Sequence, residues 1–265
     1  MRQKITRLSD QSRRSSRRLN CLMMGLIFIF ALISTPIAGL LTTGWARCQK
    51  LPLSRGYLEH QSLQMVERAP TPDSPTSPII IGLHGLGHHK EGFSRLAKSL
   101  PKAWRLIFID APFRYHRGYA WYRFKCPERD EDLAFSTQAL IKQVTHIKTR
   151  YPRASISLFG FSQGGVMSLS ALEHTPELWS SVSSLSGYWG YARSPQLLGK
   201  GAPHLLITHG RQDQVVPLHR GQRAESLMKK LGVKVTAHYF SGGHQVNSGV
   251  LKSLITHIQD AHSQR

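Results

Sequence analysis

The segment LFGFSQGGV at residues 158–166 limits the possible folds of this chain more than any other part of the sequence. It contains a Gly-x-Ser-x-Gly motif centred on Ser162, which lies directly between an apolar strand pattern and a helix pattern. The flanking glycines lack side chains that would collide with neighbouring backbone, so the chain can turn sharply and hold the serine hydroxyl above a sheet. The segment therefore predicts a nucleophilic serine in an α/β fold.

Strand and helix patterns alternate along most of the chain. Continuous apolar runs, typical of parallel strands covered on both faces, occur at Ile79–Leu83, Arg105–Ile109, Ser155–Phe159, Leu205–Thr208 and Lys234–Tyr239. Helix-compatible stretches occur at Gly92–Leu100, Glu131–Arg150, Gln163–His174, Arg220–Lys230 and Asn247–Ala261. This alternation predicts the α/β class, with a mostly parallel, doubly wound sheet and helices on both of its faces.

A base and an acid that could activate Ser162 follow two later strand patterns. A serine hydroxyl is a weak nucleophile without a base, and in motifs of this kind the partners follow in the order Ser, Asp, His. Asp213 and His244 each come shortly after an apolar run, where the carboxyl ends of parallel strands build sites. Asp110 also follows a strand, but it precedes Ser162 and is the main competitor for the acid role. We expect a triad of Ser162, Asp213 and His244.

Two backbone amides are predicted to stabilise negative charge on the reacting group. One belongs to Gln163, which starts the helix after the serine, and the other to Leu86 in the glycine-rich loop HGLG at 84–87. His88 and His89 follow this loop, but adjacent residues rarely point at one ion and no acidic cluster joins them. No metal site is predicted.

Five motifs in order give the chain a family resemblance: LHGLG at 83–87, DAPF with GYAWY within 110–122, GFSQGG at 160–165, HGRQDQVVP at 209–217 and GGHQV at 242–246. From about Leu63 to about Gln259, the chain resembles the bacterial carboxylesterase/phospholipase family that includes the acyl-protein thioesterases. The resemblance implies an α/β-hydrolase fold, no cofactor, and hydrolysis of carboxylic esters, lysophospholipids or acyl-thioesters through an acyl-enzyme. It also implies the triad and the two amide donors named above. His88 and the N-terminal extension depart from the family pattern.

The segment Ala111–Phe124 is rich in aromatic residues and arginines. Phe113 and Trp121 are candidates for the wall of an acyl-chain pocket, because ligand clefts are mostly apolar. Packing of the same rings in the core is equally compatible with the sequence. The arginines of this segment could bind an anionic head group or a product carboxylate; they are Arg114, Arg117 and Arg123.

The chain is strongly basic, with a formal net charge of +20 at pH 7. Residues 1–46 contain seven cations and one anion, so they account for +6 and leave +14 on the rest. Such a charge favours anionic partners, including phospholipid head groups, whereas no motif of a nucleic-acid-binding protein accompanies it. We expect a small-molecule or lipid ester or thioester as substrate, a possible anionic membrane surface, and no nucleic acid partner. The oligomeric state stays open.

The N-terminal segment has the pattern of a targeting or anchoring sequence. An Arg/Ser-rich stretch precedes the nearly uncharged apolar run Cys21–Leu41, and the small-residue site Gly44-Trp45-Ala46 follows it. A secretory signal peptide and an uncleaved membrane anchor are both compatible with this pattern, and both predict translocation of the catalytic part to the extracytoplasmic side. A mis-assigned start, with Met23 or Met24 as the true one, would instead leave the protein in the cytoplasm.

These features predict three regions: the targeting or anchoring segment at 1–46, a linker at 47–61 and a catalytic domain at 62–265. The three cysteines, Cys21, Cys48 and Cys126, have neither an even count nor metal-ligand spacing, so no disulfide framework is predicted. Two alternatives to an esterase remain. One is a serine peptidase or acyltransferase on the same fold, and the other is an inactive, basic, membrane-associated binding protein.

Overall fold

The computed structural model describes residues 50–196 and 201–263. The predicted signal or anchor segment at 1–46 lies outside these residues. The described strands are β1 Met65–Arg68, β2 Ile79–Leu83, β3 Arg105–Ile109, β4 Phe113–Tyr115, β5 Gly118–Ala120, β6 Ile156–Phe161, β7 Ser181–Leu185, β8 His204–Gly210 and β9 Val235–Phe240. The described α-helices are α1 Arg55–His60, α2 Lys90–Phe93, α3 Arg129–Arg150, α4 Gln163–His174, α5 Leu218–Lys230 and α6 Ser248–Ser263.

Seven of these strands form one mostly parallel sheet. The strand order is β1-β3-β2-β6-β7-β8-β9. Only the edge strand β1 is antiparallel to its neighbour, β3, and the remaining pairs are parallel. Strands β4 and β5 form a separate antiparallel hairpin. The predicted α/β class with a mostly parallel sheet is therefore confirmed.

Two hydrophobic clusters cover the two faces of the sheet. Successive side chains of a strand point to opposite faces, so Ile79 and Ile81 of β2 pack in one cluster and Ile80 packs in the other. The first cluster includes buried apolar residues of α3, α4 and α5, and the second includes those of α2 and α6. Helices on both faces are the reason why the central strands read as continuous apolar runs.

Strand β7 was not predicted, because three of its five residues in SVSSL are serines. All five residues are nevertheless buried. Ser181 Oγ donates a hydrogen bond to Ser157 Oγ at 2.8 Å, and Ser184 Oγ donates one to the Gly165 carbonyl at 2.9 Å. Partners of this kind lower the free-energy penalty of burying a hydroxyl, so Ser181 and Ser184 can occupy a central strand, whereas the buried Ser183 hydroxyl has no hydrogen-bond partner among the described residues.

Part of the predicted linker at 47–61 is packed on the catalytic domain. It contains α1, and the Ser54 N–H donates to the Pro112 carbonyl at 2.7 Å. The Tyr57 ring contacts the Phe135 ring at a centroid distance of 5.4 Å. These contacts remove apolar surface of the segment from water, which is the physical reason why it is ordered there.

Two further differences from the sequence interpretation concern a helix and a cysteine. The helix predicted at Gly92–Leu100 is divided into α2 and a 3₁₀ segment at Ser94–Ser99. Cys126 is disulfide-bonded, although the cysteine count and spacing gave no support for a disulfide framework. The pairing could not be predicted from an odd number of cysteines, because the count does not reveal which of them is left unpaired.

None of the helices within 50–196 and 201–263 combines the length and apolar character needed to span a membrane.

Candidate active site

Ser162 occupies a strained turn between β6 and α4. Its φ of 57° and ψ of −117° lie in a region that residues with a side chain rarely adopt. A Cβ added to Gly160 would come within 2.0 Å of the Gly164 carbonyl oxygen, and one added to Gly164 would come within 2.2 Å of the Leu83 oxygen. Both flanking glycines are therefore required by close backbone contacts. The Ser162 N–H donates to the Leu185 carbonyl at 2.8 Å, which ties the turn to β7.

The structure brings His244 and Asp213 together. His244 Nδ1 lies 2.7 Å from Asp213 Oδ2, in the loops that follow β9 and β8. The other carboxylate oxygen of Asp213 accepts hydrogen bonds from the Val215 and Val216 N–H groups at 2.9 and 2.8 Å. Burial alone would raise the pKa of Asp213, but the His244 and backbone hydrogen bonds outweigh it and lower the pKa. The carboxylate is therefore ionised at neutral pH and suited to fix the proton on His244 Nδ1.

Phe161 connects this pair to the serine turn. The ring of Phe161, which immediately precedes Ser162, lies against the His244 ring at a centroid distance of 4.7 Å. The His244 side chain is 9% exposed. The contact restricts the orientation of the imidazole beside the turn.

His209 supports Asp213 and was not singled out by sequence analysis. It is fully buried, its Nε2 donates to the Val216 carbonyl at 2.7 Å, and the same nitrogen lies 3.4 Å from Asp213 Oδ2. Burial lowers the pKa of His209, so the ring stays neutral at pH 7. Its place at the carboxyl end of β8, four residues before Asp213, is the one signal that could have identified it.

The HGLG loop reaches the serine turn. A Cβ added to Gly85 would lie 3.3 Å from Ser162 Cβ, which shows how closely the two segments approach. The Leu86 N–H donates to no other group of the described residues. Gln163 is the first residue of α4, and the first N–H groups of a helix have no acceptor within the helix. Both predicted amides are thus available for a ligand.

The side chain of Gln163 joins the serine turn to the aromatic segment. Its Oε1 accepts a hydrogen bond from the Trp121 N–H at 3.0 Å, and its Nε2 donates to the Tyr122 carbonyl at 3.0 Å. Trp121 in turn donates from Nε1 to the His84 carbonyl at 2.9 Å. One buried network therefore holds the serine turn, the aromatic segment and the HGLG loop in fixed relative positions. This second role of Gln163 was not predicted from the sequence.

His84 is a structural residue within the same network. It is fully buried, its Nδ1 donates to the Gly85 carbonyl at 2.7 Å, and its Nε2 accepts from the Ala111 N–H at 3.2 Å. Burial, which outweighs the hydrogen bond, lowers the pKa of His84 to about 3. The ring is neutral at physiological pH, which matches its one donor and one acceptor.

Asp110, the competitor for the acid role, is bonded to Lys90 and not to His244. Its two oxygens accept hydrogen bonds from Lys90 N at 2.6 Å and from Lys90 Nζ at 2.8 Å. Burial raises the pKa of Asp110 despite these bonds. The contacts anchor the start of α2 to the end of β3.

The candidate pocket residues lie in the interior. Trp121 is 0% exposed and Phe113 is 8% exposed, with its ring 5.6 Å from that of Phe135. Their burial gives the proposed acyl-chain wall no support.

Arg123, one of the three candidates for binding an anionic group, is paired with Asp132 at 2.7 and 2.9 Å. The Asp132 carboxylate neutralises the Arg123 guanidinium, which corrects the interpretation that Arg123 binds an anionic group of the substrate.

His88 and His89 stack on one another, with ring centroids 5.4 Å apart. In the part of the chain that the structure describes, no three His, Cys, Asp or Glu side chains come together as a metal-binding group.

Residues 66–262 match the family model described as phospholipase/carboxylesterase. Among curated proteins, the chain is 29% identical over 207 residues to lysophospholipase-like protein 1 of Mus musculus, which covers 68% of this chain and 87% of that protein. It is 27% identical over 195 residues to acyl-protein thioesterase 1 of Candida albicans, which covers 63% of this chain and 84% of that protein. These matches show the family, but they do not show a bacterial origin of this chain.

The fold is similar to that of the carboxylesterase of Bacillus cereus. The TM-score is 0.68 at 18% identity, and the match covers 78% of this chain and 98% of that one. The family match spans most of the described domain and includes the serine turn and the loops that carry Asp213 and His244. The chain therefore belongs to the phospholipase/carboxylesterase family of α/β-hydrolases and is an ester hydrolase.

Proposed function

We propose that this enzyme hydrolyses carboxylic esters or thioesters, as a carboxylesterase, lysophospholipase or acyl-protein thioesterase does, through Ser162, His244 and Asp213. The observation that carries the proposal is the strained Ser162 turn next to a His244 ring whose Nδ1 is bonded to an ionised Asp213. Three relatives are named as a lysophospholipase-like protein, an esterase and an acyl-protein thioesterase, and these names support the same chemistry.

In the proposed reaction the proton on His244 Nδ1 is held by Asp213, so the other ring nitrogen, Nε2, accepts the Ser162 hydroxyl proton. The Ser162 oxygen forms a bond to the substrate carbonyl carbon. The Leu86 and Gln163 N–H groups donate hydrogen bonds to the oxyanion. His244 then returns the proton to the leaving alcohol or thiol, and an acyl-enzyme remains. His244 then deprotonates a water molecule, whose oxygen bonds to the acyl carbon. The ester bond to Ser162 breaks, the acid leaves, and His244 returns the proton to Ser162 Oγ.

A panel of acyl compounds with the same acyl group tests the reaction class. We expect turnover of p-nitrophenyl esters and of acyl-thioesters, and far slower turnover of the matching peptide amide. Faster cleavage of the amide would favour the peptidase alternative, and formation of new esters from added alcohols would favour an acyltransferase. Absence of turnover on every compound would favour the inactive binding protein.

We also propose that residues 1–46 target the catalytic domain to the extracytoplasmic side, as a signal peptide or a membrane anchor. The disulfide at Cys126 supports this location, because disulfides persist in oxidising compartments and are rare in the cytosol. The apolar run Cys21–Leu41, preceded by arginines, supports it independently. A mis-assigned start remains the alternative, and it would place the enzyme in the cytoplasm.

Deletion of residues 1–46 is expected to give a soluble and active enzyme, because the catalytic domain begins after them. The full-length protein, if anchored, should stay in the membrane fraction in high salt, whereas attachment of the basic domain to anionic lipid should be lost as salt rises. Fractionation of both forms at low and high salt measures this. Soluble full-length protein with an uncleaved N-terminus, or truncated protein that pellets in high salt, would contradict the proposal.

A further inference from the structure

A basic groove lies between the segment after β7 and the first turns of α5. Its cavity volume is about 320 Å³. Its lining includes cationic and aromatic side chains: Arg129, His219, Arg220, Arg223, Tyr188 and Trp189. In a parallel sheet, the starts of helices and the loops after strands lie at the carboxyl ends of the strands, which is also where Ser162 follows β6. The groove therefore opens at the same edge of the sheet as the proposed catalytic residues.

Two guanidinium groups of the groove have no carboxylate partner among the described residues. Arg220 and Arg223 are exposed, and they are three residues apart on α5, so they lie on the same helix face. Neither forms a salt bridge with another residue of the described ranges. Arg129, in contrast, is bonded to Asp130 at 3.0 Å. The groove thus contains positive charge that no carboxylate of the described protein neutralises.

Aromatic contacts hold this charge in place and connect it to the catalytic residues. The Arg220 guanidinium lies 5.0 Å from the centroid of the Tyr188 ring. The Tyr188 hydroxyl is 3.1 Å from the buried Tyr122 hydroxyl, and the Tyr122 carbonyl accepts a hydrogen bond from Gln163 Nε2. Two tyrosine residues therefore link Arg220 to Gln163, a proposed oxyanion residue.

We infer that this groove binds an anionic group, a phosphate or a carboxylate, carried by the ester substrate itself. The inference rests on the proposed function of Ser162. Guanidinium groups match the oxygens of phosphate and carboxylate with paired hydrogen bonds, and two of them on one helix face can share one anion. Arg123 of the aromatic segment is not available in this way, because Asp132 accepts hydrogen bonds from its Nε and Nη2 and neutralises its charge.

The test compares two soluble esters that differ only in one phosphate, 1-butyrylglycerol and 1-butyrylglycerol 3-phosphate. The wild-type enzyme should prefer the phosphate ester. The double variant R220Q/R223Q should lower kcat/KM for that ester by about tenfold or more, mainly through KM, and change kcat/KM for the neutral ester by less than about twofold. Inorganic phosphate should inhibit the wild type competitively and the double variant far more weakly.

The matched control is R153Q/K234Q, which removes two exposed cations just before β6 and β9, at the opposite edge of the sheet. It should leave both esters unaffected. Equal losses for both double variants would indicate general charge attraction and overturn the inference, as would equal losses on both esters. If the wild type hydrolyses neither of these esters nor p-nitrophenyl butyrate, the proposed function fails. Calorimetric titration with inorganic phosphate still decides the groove: binding lost only in R220Q/R223Q supports it, and equal binding overturns it.

Discussion

Ser162→Ala is expected to lower kcat/KM for a p-nitrophenyl ester on the order of 10⁴-fold or more, because it removes the proposed nucleophile. The alanine keeps the backbone of the turn, and the Ser162 side chain makes no capping hydrogen bond to α4. The free energy of unfolding should therefore change by no more than about 1 kcal/mol. Steady-state kinetics and denaturant unfolding of the same preparations measure the two quantities.

Ser162→Gly is the matched variant for the fold. Glycine adopts a positive φ readily, so it should relieve the strain at φ 57° while abolishing turnover to the same extent. Both variants should retain wild-type circular dichroism. A loss of activity below about tenfold in Ser162→Ala would show that another group is the nucleophile.

Asp213→Asn should lower kcat on the order of 10⁴-fold, the second largest effect that we expect. The asparagine carbonyl can still accept hydrogen bonds from the Val215 and Val216 N–H groups. Its NH₂ group would then face His244 Nδ1 and favour the tautomer in which Nε2 carries the proton. That tautomer cannot accept the proton of Ser162.

Asp110→Asn is the control, because it alters a carboxylate that follows β3 and binds Lys90 rather than His244. It weakens a partly buried ion pair, so stability should decrease, while kcat of the folded enzyme should change by less than about tenfold. Kinetics at a temperature where both variants are folded, checked by thermal unfolding, compares them. A greater loss of kcat in Asp110→Asn than in Asp213→Asn would move the acid role to Asp110.

Much of the fold could be predicted because the central strands are buried on both faces. Strands β2 and β3 have the bounds that their apolar runs predicted. Strand β7 escaped prediction because its burial depends on hydroxyl partners supplied by other segments. The hairpin of β4 and β5 escaped it too, since its strands have three residues each and Tyr119 pairs with the loop at 87–88.

In the candidate site, too, residues with a local sequence signal could be predicted, and contacts between distant segments could not. Ser162, Asp213 and His244 could be proposed because chain order and strand ends are local features of the sequence. The contact of Phe161 with His244 and the bond of His209 to the Val216 carbonyl depend on how loops pack, which no local pattern records. The sequence left two interpretations of Trp121 open, because an aromatic residue that braces a loop from inside has the same sequence signature as one that lines a pocket. The roles of the site residues stay predictions.

Covalent labelling of Ser162 tests the central claim most directly. The enzyme is treated with a fluorophosphonate, the intact mass is recorded, and the modified peptide is identified by tandem mass spectrometry. We predict one adduct per chain, located on Ser162, whose formation parallels the loss of esterase activity and is absent in Ser162→Ala. An adduct on another residue, or full inhibition without modification of Ser162, would contradict the account.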